Sequence, residues 1–270
     1  MHKGFFITFE GNDGVGKTTQ LDMLTLALST RGDLINHGAS TPIYFTKEPG
    51  DGRFGSAVGP GIREIIFKKP GTRLLAPGVA DLLFLADHIQ NVHDVRKALE
   101  RGQIVISDRY ADSQFAYAAH PSKRAPAWAC RYFAEQYGVT PDLTLLLTAR
   151  GPMKTYRAGI DIKEQGNQDR AVEDIGWALA RANARRGAEA GKQDGKAWND
   201  VEAQRAIQDA YLLGLLGEAR TKVIGVWETS TPEAVHSQVM QAVQEAMSQN
   251  GLGKQPNLPL VDTFAETVAA

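Results

Sequence analysis

The stretch Gly11-Asn12-Asp13-Gly14-Val15-Gly16-Lys17-Thr18 has two glycines with four residues between them, followed directly by Lys and Thr. Residues 5–9 before it read as a short buried strand, and the leucines at 21, 24 and 28 after it have helical spacing. Glycines in such a turn let backbone N–H groups face a phosphate at the positive end of the following helix. A plain strand-to-helix turn is the alternative, but the full pattern predicts a nucleoside triphosphate site.

The phosphate-binding pattern predicts a role for individual residues of this stretch. Lys17 is expected to reach the β- and γ-phosphates, and the Thr18 hydroxyl to hold Mg²⁺. The residues predicted to bind ATP are Gly11, Asn12, Asp13, Gly14, Val15, Gly16, Lys17, Thr18 and Thr19.

The near-zero net charge gives the chain no overall attraction to nucleic acid or membranes. The chain has 270 residues, of which 43% are apolar, and its 30 basic residues nearly balance its 31 acidic ones. We therefore expect neither nucleic acid nor a membrane as a partner. The single cysteine, Cys130, cannot form an internal disulfide, and neither a signal pattern nor a membrane-length apolar run is evident. These features predict a cytoplasmic protein.

Strands and helices alternate along the chain, which favours a parallel sheet covered by helices. The predicted strands are Phe5–Glu10, Pro42–Thr46, Ile104–Asp108, Leu143–Thr148 and Val223–Trp227. The predicted helices are Lys17–Arg31, Gly55–Phe67, Gly78–Arg101, Ala111–Ala119, Ala125–Gly138, Val201–Gly217 and Pro232–Ser248, with a further helical stretch around Ala178–Ala190. We expect a single domain over residues 1–248, with a lid and insertion at about 157–199, and a tail over 249–270.

The third predicted strand ends in Ser107-Asp108-Arg109-Tyr110. Ligands of open parallel sheets bind beyond the carboxyl ends of the strands, where a carboxylate can face Mg²⁺ and an arginine can face a phosphate. Alone, the same residues would also suit a structural ion pair.

Five blocks in fixed order resemble the thymidylate kinase family. They are the glycine-rich loop, Phe45-Thr46-Lys47-Glu48-Pro49-Gly50, Leu82-Leu83-Phe84-Leu85-Ala86, residues 107–110 with Ser113 and Ala116-Tyr117, and Pro141-Asp142-Leu143-Thr144-Leu145. The resemblance covers roughly residues 5–170 and resumes weakly through Tyr211 and the last strand and helix. It implies transfer of the γ-phosphoryl group of ATP to thymidine monophosphate with Mg²⁺. It also implies a three-layer α/β sandwich of the P-loop NTPase fold with a five-stranded parallel sheet, an arginine-bearing lid and a homodimer.

The resemblance and the chemistry together assign candidate site residues. The catalytic candidates are Lys17, Asp108, Arg109, Arg157 and Arg170, with Lys163 as a further phosphate-binding candidate in the lid. The metal candidates are Thr18 and Asp108. The acceptor candidates are Asp13, Lys47, Glu48, Arg63, Phe84, His88, Arg109, Ser113 and Tyr117.

The sequence departs from the family pattern at four positions. Gly14 stands where some members carry an arginine, so the extra positive charge is expected from the lid. Lys47 replaces an arginine and lacks its bidentate fork, and Ala118 replaces a glutamine. His88 stands where relatives carry an arginine that reads the base edge, which predicts a looser base site accepting a second pyrimidine.

The helix that carries Phe84 and His88 has two distinct faces. Its main apolar stripe is predicted to run through Leu82, Leu85, Ala86, Ile89 and Val92, with Phe84 and His88 on a largely opposite face. That second face suits a dimer contact, further packing or a platform for a base, and the resemblance favours stacking on Phe84.

Three alternative functions remain at this point. They are a kinase for another pyrimidine deoxynucleoside monophosphate, a deoxynucleoside kinase, and a non-catalytic nucleotide-binding protein. The cations Lys47, Arg63 and Arg109 favour an acceptor that already carries a phosphate over a free nucleoside.

Overall fold

The fold is described from a computed structural model, for residues 4–29, 43–68, 75, 78–118, 132, 136–149, 175–184 and 201–252. Most of the predicted helix Ala125–Gly138, most of the predicted lid and the tail beyond residue 252 lie outside the described residues. The predicted lid residues Arg157, Lys163 and Arg170 are among them.

Five parallel strands form one sheet in the order β2-β3-β1-β4-β5. The strands are β1 (Phe5–Glu10), β2 (Ile43–Lys47), β3 (Ile104–Asp108), β4 (Leu143–Thr148) and β5 (Thr221–Gly225). The predicted five-stranded parallel sheet is therefore confirmed. The three central strands have the predicted bounds, because each is buried on both faces and reads as a continuous apolar run. The edge strands β2 and β5 are half-buried, and their bounds differ from prediction by one or two residues.

Helices connect the strands. They are α1 (Lys17–Ser29), α2 (Gly59–Arg63), which continues as a π-helical turn over Glu64–Lys68, α3 (Val79–Glu100), α4 (Ala111–Ala118), α5 (Val201–Leu215) and α6 (Pro232–Gln249). Residues 175–184 are also helical. The predicted helix Gly55–Phe67 begins late because Gly55 has a positive φ of 87° and Pro60 occupies the first turn of α2.

The helices cover both faces of the sheet, which gives the predicted three layers. On one face α1 and α6 pack against residues such as Ile7, Ile106 and Leu145. On the other face α3 packs against Phe6 and Val105, while α4 and α5 pack against the β4 residue 146. None of the described helices is long and apolar enough to span a bilayer.

Helix α3 is oriented differently from its predicted apolar stripe. Leu82 is 67% exposed and Ile89 is 37% exposed, so most of the stripe faces outward. The first half of α3 instead buries a largely polar face of Asp81, Asp87, His88 and Asn91. The predicted packing face is therefore wrong for this half of the helix. The reason is that its inner face borders the strand ends of the candidate site and meets polar partners there.

Candidate active site

The glycine-rich loop joins β1 to α1 and places Lys17 at its centre. Gly11, Gly14 and Gly16 have positive φ angles of 124°, 85° and 99°, a conformation that favours glycine. The Lys17 ammonium donates hydrogen bonds to the main-chain oxygens of Gly11 at 2.9 Å and Asn12 at 2.7 Å. The loop thus holds a buried cation at the start of a helix, as phosphate binding requires.

The environment of Lys17 disfavours its charge in the absence of an anion. Burial, together with the positive charge of Arg109, lowers the pKa of Lys17 to about 8. The carboxylates of Asp13, Asp108 and Glu10 act in the opposite direction. A polyanionic ligand at the loop would therefore stabilise the charged ammonium.

The 175–184 helix lies against the glycine-rich loop. A Cβ atom at Gly14 would overlap the main-chain oxygen of Ala178. The position therefore requires glycine for space as well as for its φ angle. Asn12 also connects this loop to α5, because its amide donates to the main-chain and side-chain oxygens of Gln204 at 2.8 and 2.9 Å.

Asp108 lies at the end of β3, directly across from Phe9 of β1 and Lys47 of β2. Its Oδ2 is 3.8 Å from the Lys47 ammonium. Its Oδ1 is buried and has no hydrogen-bond partner among the described residues. An unsatisfied buried carboxylate oxygen fits a Mg²⁺ ligand, and Thr18 lies exposed at the start of α1. Within the described ranges no group of three His, Cys, Asp or Glu side chains could hold a metal.

Arg109 is fixed by several contacts at the same edge of the sheet. Its backbone has a positive φ of 74°, which is rare for a residue other than glycine. Its Nη2 donates to Asp13 Oδ1 at 2.5 Å, and its guanidinium lies 4.9 Å from the ring centroid of Tyr117. The structure thus brings together Lys17, Asp108, Arg109 and Asp13, all named from the sequence.

Glu10 lies behind Arg109 and is absent from the predicted site. Its carboxylate accepts hydrogen bonds from the Tyr110 main chain at 2.8 Å, from Ser113 Oγ at 2.6 Å and from Tyr211 at 3.1 Å. Burial, together with the charge of Asp112, raises the pKa of Glu10 to about 8. In the sequence, the signal for Glu10 is its position: it is an acidic residue at the end of a buried apolar strand, directly before the glycine-rich loop.

Arg63 lies at the end of α2, and Phe84 lies in the first half of α3. Arg63 Nη1 donates to the Pro49 oxygen at 3.4 Å, and its guanidinium lies 5.4 Å from the Phe67 ring centroid. The half-buried Phe84 ring lies 6.2 Å from that of Phe67. Lys47 forms a 3.4 Å ion pair with Asp51. These aromatic and cationic groups form one wall beside the strand ends.

His88 is buried and directed towards Glu48. Its Nδ1 lies 2.9 Å and 3.0 Å from the two carboxylate oxygens of Glu48, and its ring centroid lies 4.7 Å from that of Tyr110. Asn91 donates to the same carboxylate at 2.8 Å, and Thr46 donates to Asn91 at 2.5 Å. Contact between His88 and a base edge stays a prediction, and this network gives the ring a different partner.

Asp87 is a second buried carboxylate that the sequence did not single out. It accepts hydrogen bonds from Ser56 Oγ at 2.5 Å and from the Gly50 main chain at 3.3 Å. Burial raises the pKa of Asp87 to about 6, and the neighbouring charge of Glu48 also raises it. This aspartate fixes the loop after β2 to α3.

Comparison with known proteins identifies the family. The family model for thymidylate kinase matches residues 9–174, more than half of the chain. The chain belongs to the thymidylate kinase family.

Bacterial thymidylate kinases are among the relatives. The thymidylate kinase of Bifidobacterium longum strain NCC 2705 is 37% identical over 164 residues, covering 57% of this chain and 71% of its own length. That of an Exiguobacterium species is 37% identical over 175 residues, covering 62% and 72%. That of Bifidobacterium longum subsp. infantis is 33% identical over 220 residues, covering 74% and 85%.

The thymidylate kinase match includes most of the candidate site. The glycine-rich loop, Lys47, Asp108 and Arg109 all lie within residues 9–174. Helix α5, which supplies Gln204 and Tyr211 to the same edge of the sheet, lies beyond the matched region. These two residues were not among the predicted site residues.

Proposed function

We propose that this protein is a dTMP kinase. An oxygen of the acceptor phosphate attacks the γ-phosphorus of ATP, the bond from that phosphorus to the β-phosphate oxygen breaks, and ADP leaves. The observation that carries the proposal is the convergence of Lys17, Asp108 and Arg109 at the ends of β1 and β3 in a thymidylate kinase family member.

The donor side suits ATP with Mg²⁺. Phosphoryl transfer needs alignment and charge neutralisation more than covalent chemistry. Lys17 would neutralise charge on the β- and γ-phosphates, and the main-chain N–H groups of residues 11–19 would surround them. Thr18 and the unsatisfied oxygen of Asp108 would hold Mg²⁺, which would offset the charge that develops on the phosphates during transfer.

The acceptor side suits a nucleoside monophosphate. Arg109 and Arg63 offer planar forks for its phosphate, and Lys47 adds a third cation. Asp13, Ser113 and Glu48 surround this region as polar contacts. A free nucleoside would bring no phosphate for these cations to bind.

The base and sugar would meet the aromatic side of the cleft. Phe84 offers a stacking surface, and Tyr117 lies beside Arg109, where a sugar would approach. Deoxyuridine monophosphate or a 5-substituted analogue is the second candidate acceptor. The observation that favours it is the engagement of His88 by Glu48, which weakens the case for strict reading of thymine by this side chain.

The arginines of the predicted lid would neutralise the negative charge on the transferring phosphoryl group in the transition state. Gly14 brings no positive charge to the loop, so Arg157 and Arg170 are proposed to contact the transferring phosphoryl group, with Lys163 in support.

We also propose a homodimer in the cytoplasm. The outward apolar residues Leu82, Ala86 and Ile89 form a stripe along one face of α3. Such a stripe suits a self-complementary contact between two copies of the same helix.

The experiment is steady-state kinetics with ATP-Mg²⁺ on thymidine, thymidine monophosphate, deoxyuridine monophosphate and deoxycytidine monophosphate. We expect thymidine diphosphate from the monophosphate, slower turnover of deoxyuridine monophosphate, and no reaction of thymidine. Activity on thymidine alone would make the protein a deoxynucleoside kinase. Nucleotide binding without any turnover would make it a non-catalytic binding protein. Discrimination above about a thousandfold against every other pyrimidine would exclude the looser base site.

A further inference from the structure

Tyr211 reaches the candidate site from a distant part of the chain. It lies in α5, 102 residues after Arg109, and its hydroxyl accepts a hydrogen bond from Arg109 Nη1 at 2.9 Å. Its ring is buried in the core between α4, α5 and β4, among Ala116, Leu146 and Ile207. The ring is therefore held by packing, while the hydroxyl faces a cation.

The hydroxyl is itself oriented by two buried partners. It lies 2.7 Å from Ser113 Oγ and donates to Glu10 Oε2 at 3.1 Å. Burial and the charge of Glu10 raise the pKa of Tyr211, so the hydroxyl keeps its proton at neutral pH. Because that single proton points to Glu10 or Ser113, an oxygen lone pair is left for Arg109.

The two edges of the Arg109 guanidinium have different surroundings. Nη1 is bound by the hydroxyls of Tyr211 and of Ser113, the latter at 3.3 Å. Nη2 is bound by Asp13, whose side chain is 34% exposed. One edge is thus anchored inside the protein, and the other faces a partner that solvent and ligands can reach. A guanidinium held in this way presents its outer N–H groups in one fixed direction.

We propose that Tyr211 is a positioning residue for phosphoryl transfer, which anchors Nη1 of Arg109 so that the Nη2 edge is presented to the acceptor phosphate. This inference rests on the proposed function, in which Arg109 binds that phosphate. Tyr211 acts only through Arg109 and does not touch the reacting atoms.

The test begins with Tyr211→Phe, which keeps the buried ring and removes the hydroxyl. We expect kcat/KM for thymidine monophosphate to fall about tenfold, with KM for ATP unchanged, because a hydrogen bond to a charged group is lost. The matched control is Tyr110→Phe. It removes another buried tyrosine hydroxyl, which accepts its hydrogen bond from the Val139 main chain at 2.9 Å and not from Arg109. This control should lower thermal stability without selectively affecting the acceptor.

A double-mutant cycle distinguishes positioning from simple packing. In an Arg109→Ala background, Tyr211→Phe should cause no further loss of kcat/KM, because the group that it positions is gone. Wild-type kinetics in Tyr211→Phe, or a loss that multiplies with that of Arg109→Ala, would overturn the inference. If wild-type protein fails to phosphorylate the monophosphate at all, the proposed function falls, and this inference with it.

Glu10→Gln provides a second variant should Tyr211→Phe not fold. It removes the carboxylate that orders both hydroxyls while keeping the size of the side chain. The same selective loss for the acceptor, measured above pH 8 where the wild-type carboxyl is ionised and again absent in the Arg109→Ala background, is expected. An unchanged kcat/KM at that pH in folded Glu10→Gln would overturn the inference.

Discussion

We expect phosphoryl transfer from ATP to depend strongly on a single side chain, that of Lys17. Lys17→Ala removes the buried cation at the centre of the glycine-rich loop. We expect turnover to fall about a hundredfold or more, because charge neutralisation in a water-poor site is lost. The control is Lys222→Ala, which breaks only an exposed 3.3 Å ion pair with Glu245. Undiminished turnover of Lys17→Ala at saturating ATP-Mg²⁺ would exclude the predicted donor site.

Glu10 makes a prediction about pH and stability. Its pKa is raised from 4.5 to about 8, so between these values the folded protein binds more protons at this group than the unfolded chain does. The free energy of unfolding should therefore decrease as pH rises through this window. The groups around it are Asp112, Arg109, Ser113, Tyr110 and Tyr211, and all are retained in Glu10→Gln.

The measurement is the thermal midpoint of wild type and Glu10→Gln at pH 5 and pH 8. Comparing the two proteins at each pH cancels the titration of other groups. Because glutamine does not titrate, the variant should gain stability relative to wild type on going to pH 8. An equal difference at both values would show that the Glu10 pKa is not raised.

Single residues were predictable where their signal is local in sequence. Lys17, Asp108 and Arg109 belong to short motifs that end strands, so the sequence alone placed them correctly at one edge of the sheet. Tyr211 and Glu10 meet across about two hundred positions, and no local pattern records that contact. His88 and Glu48 were both named from the sequence, but their contact was not, because that pairing depends on how α3 rotates over β2.

At the scale of elements, α3 is the instructive case. Its apolar periodicity was read correctly, yet the stripe faces outward because polar residues of the opposite face meet the strand ends. Apolar periodicity shows which residues share one face of a helix, but it does not show whether that face packs against the rest of the protein. The central strands raised no such ambiguity, because both of their faces are buried.

The outward stripe predicts an effect on oligomeric state. A double variant with Leu82→Asp and Ile89→Asp should shift the protein from dimer to monomer, because two charges would be buried in an apolar contact. Molar mass from light scattering during size-exclusion chromatography measures this shift. Leu213→Asp, on α5 and 80% exposed, is the matched control and should leave the mass unchanged. Dimers that persist in the double variant would place the interface elsewhere.

At the scale of the whole molecule, the parallel order of the strands brings distant segments to one edge. The residues at the ends of β1, β2 and β3 come from positions 10, 47 and 108 and become neighbours across the sheet. The alternating pattern predicted this layout, since parallel strands with helical crossovers collect their carboxyl ends together. The alternating pattern could not predict how the 175–184 helix packs on the glycine-rich loop, because the sequence around this helix is charged and rich in alanine.

The arginines of the predicted lid provide a prediction about turnover. Arg157→Ala and Arg170→Ala should each lower turnover by more than they weaken acceptor binding, because their contacts would form mainly in the transition state. Steady-state kinetics together with equilibrium binding of thymidine monophosphate separates the two effects. A tenfold loss of acceptor affinity with unchanged turnover would assign these arginines to ground-state binding instead.

The contact between Gly14 and Ala178 also limits which amino-acid substitutions can occur at these two positions during evolution. Residue 178 meets the loop through its main-chain oxygen, which every amino acid carries, so no substitution at 178 makes room for a side chain at 14. Position 178 is thus free to vary in this respect while position 14 is not. A side chain at position 14 would therefore need a change elsewhere in the chain, such as an inserted residue, a deleted residue or a distant substitution, that displaces the 175–184 backbone. The backbone position of residues 175–184 would in this way decide which sequences the glycine-rich loop can adopt.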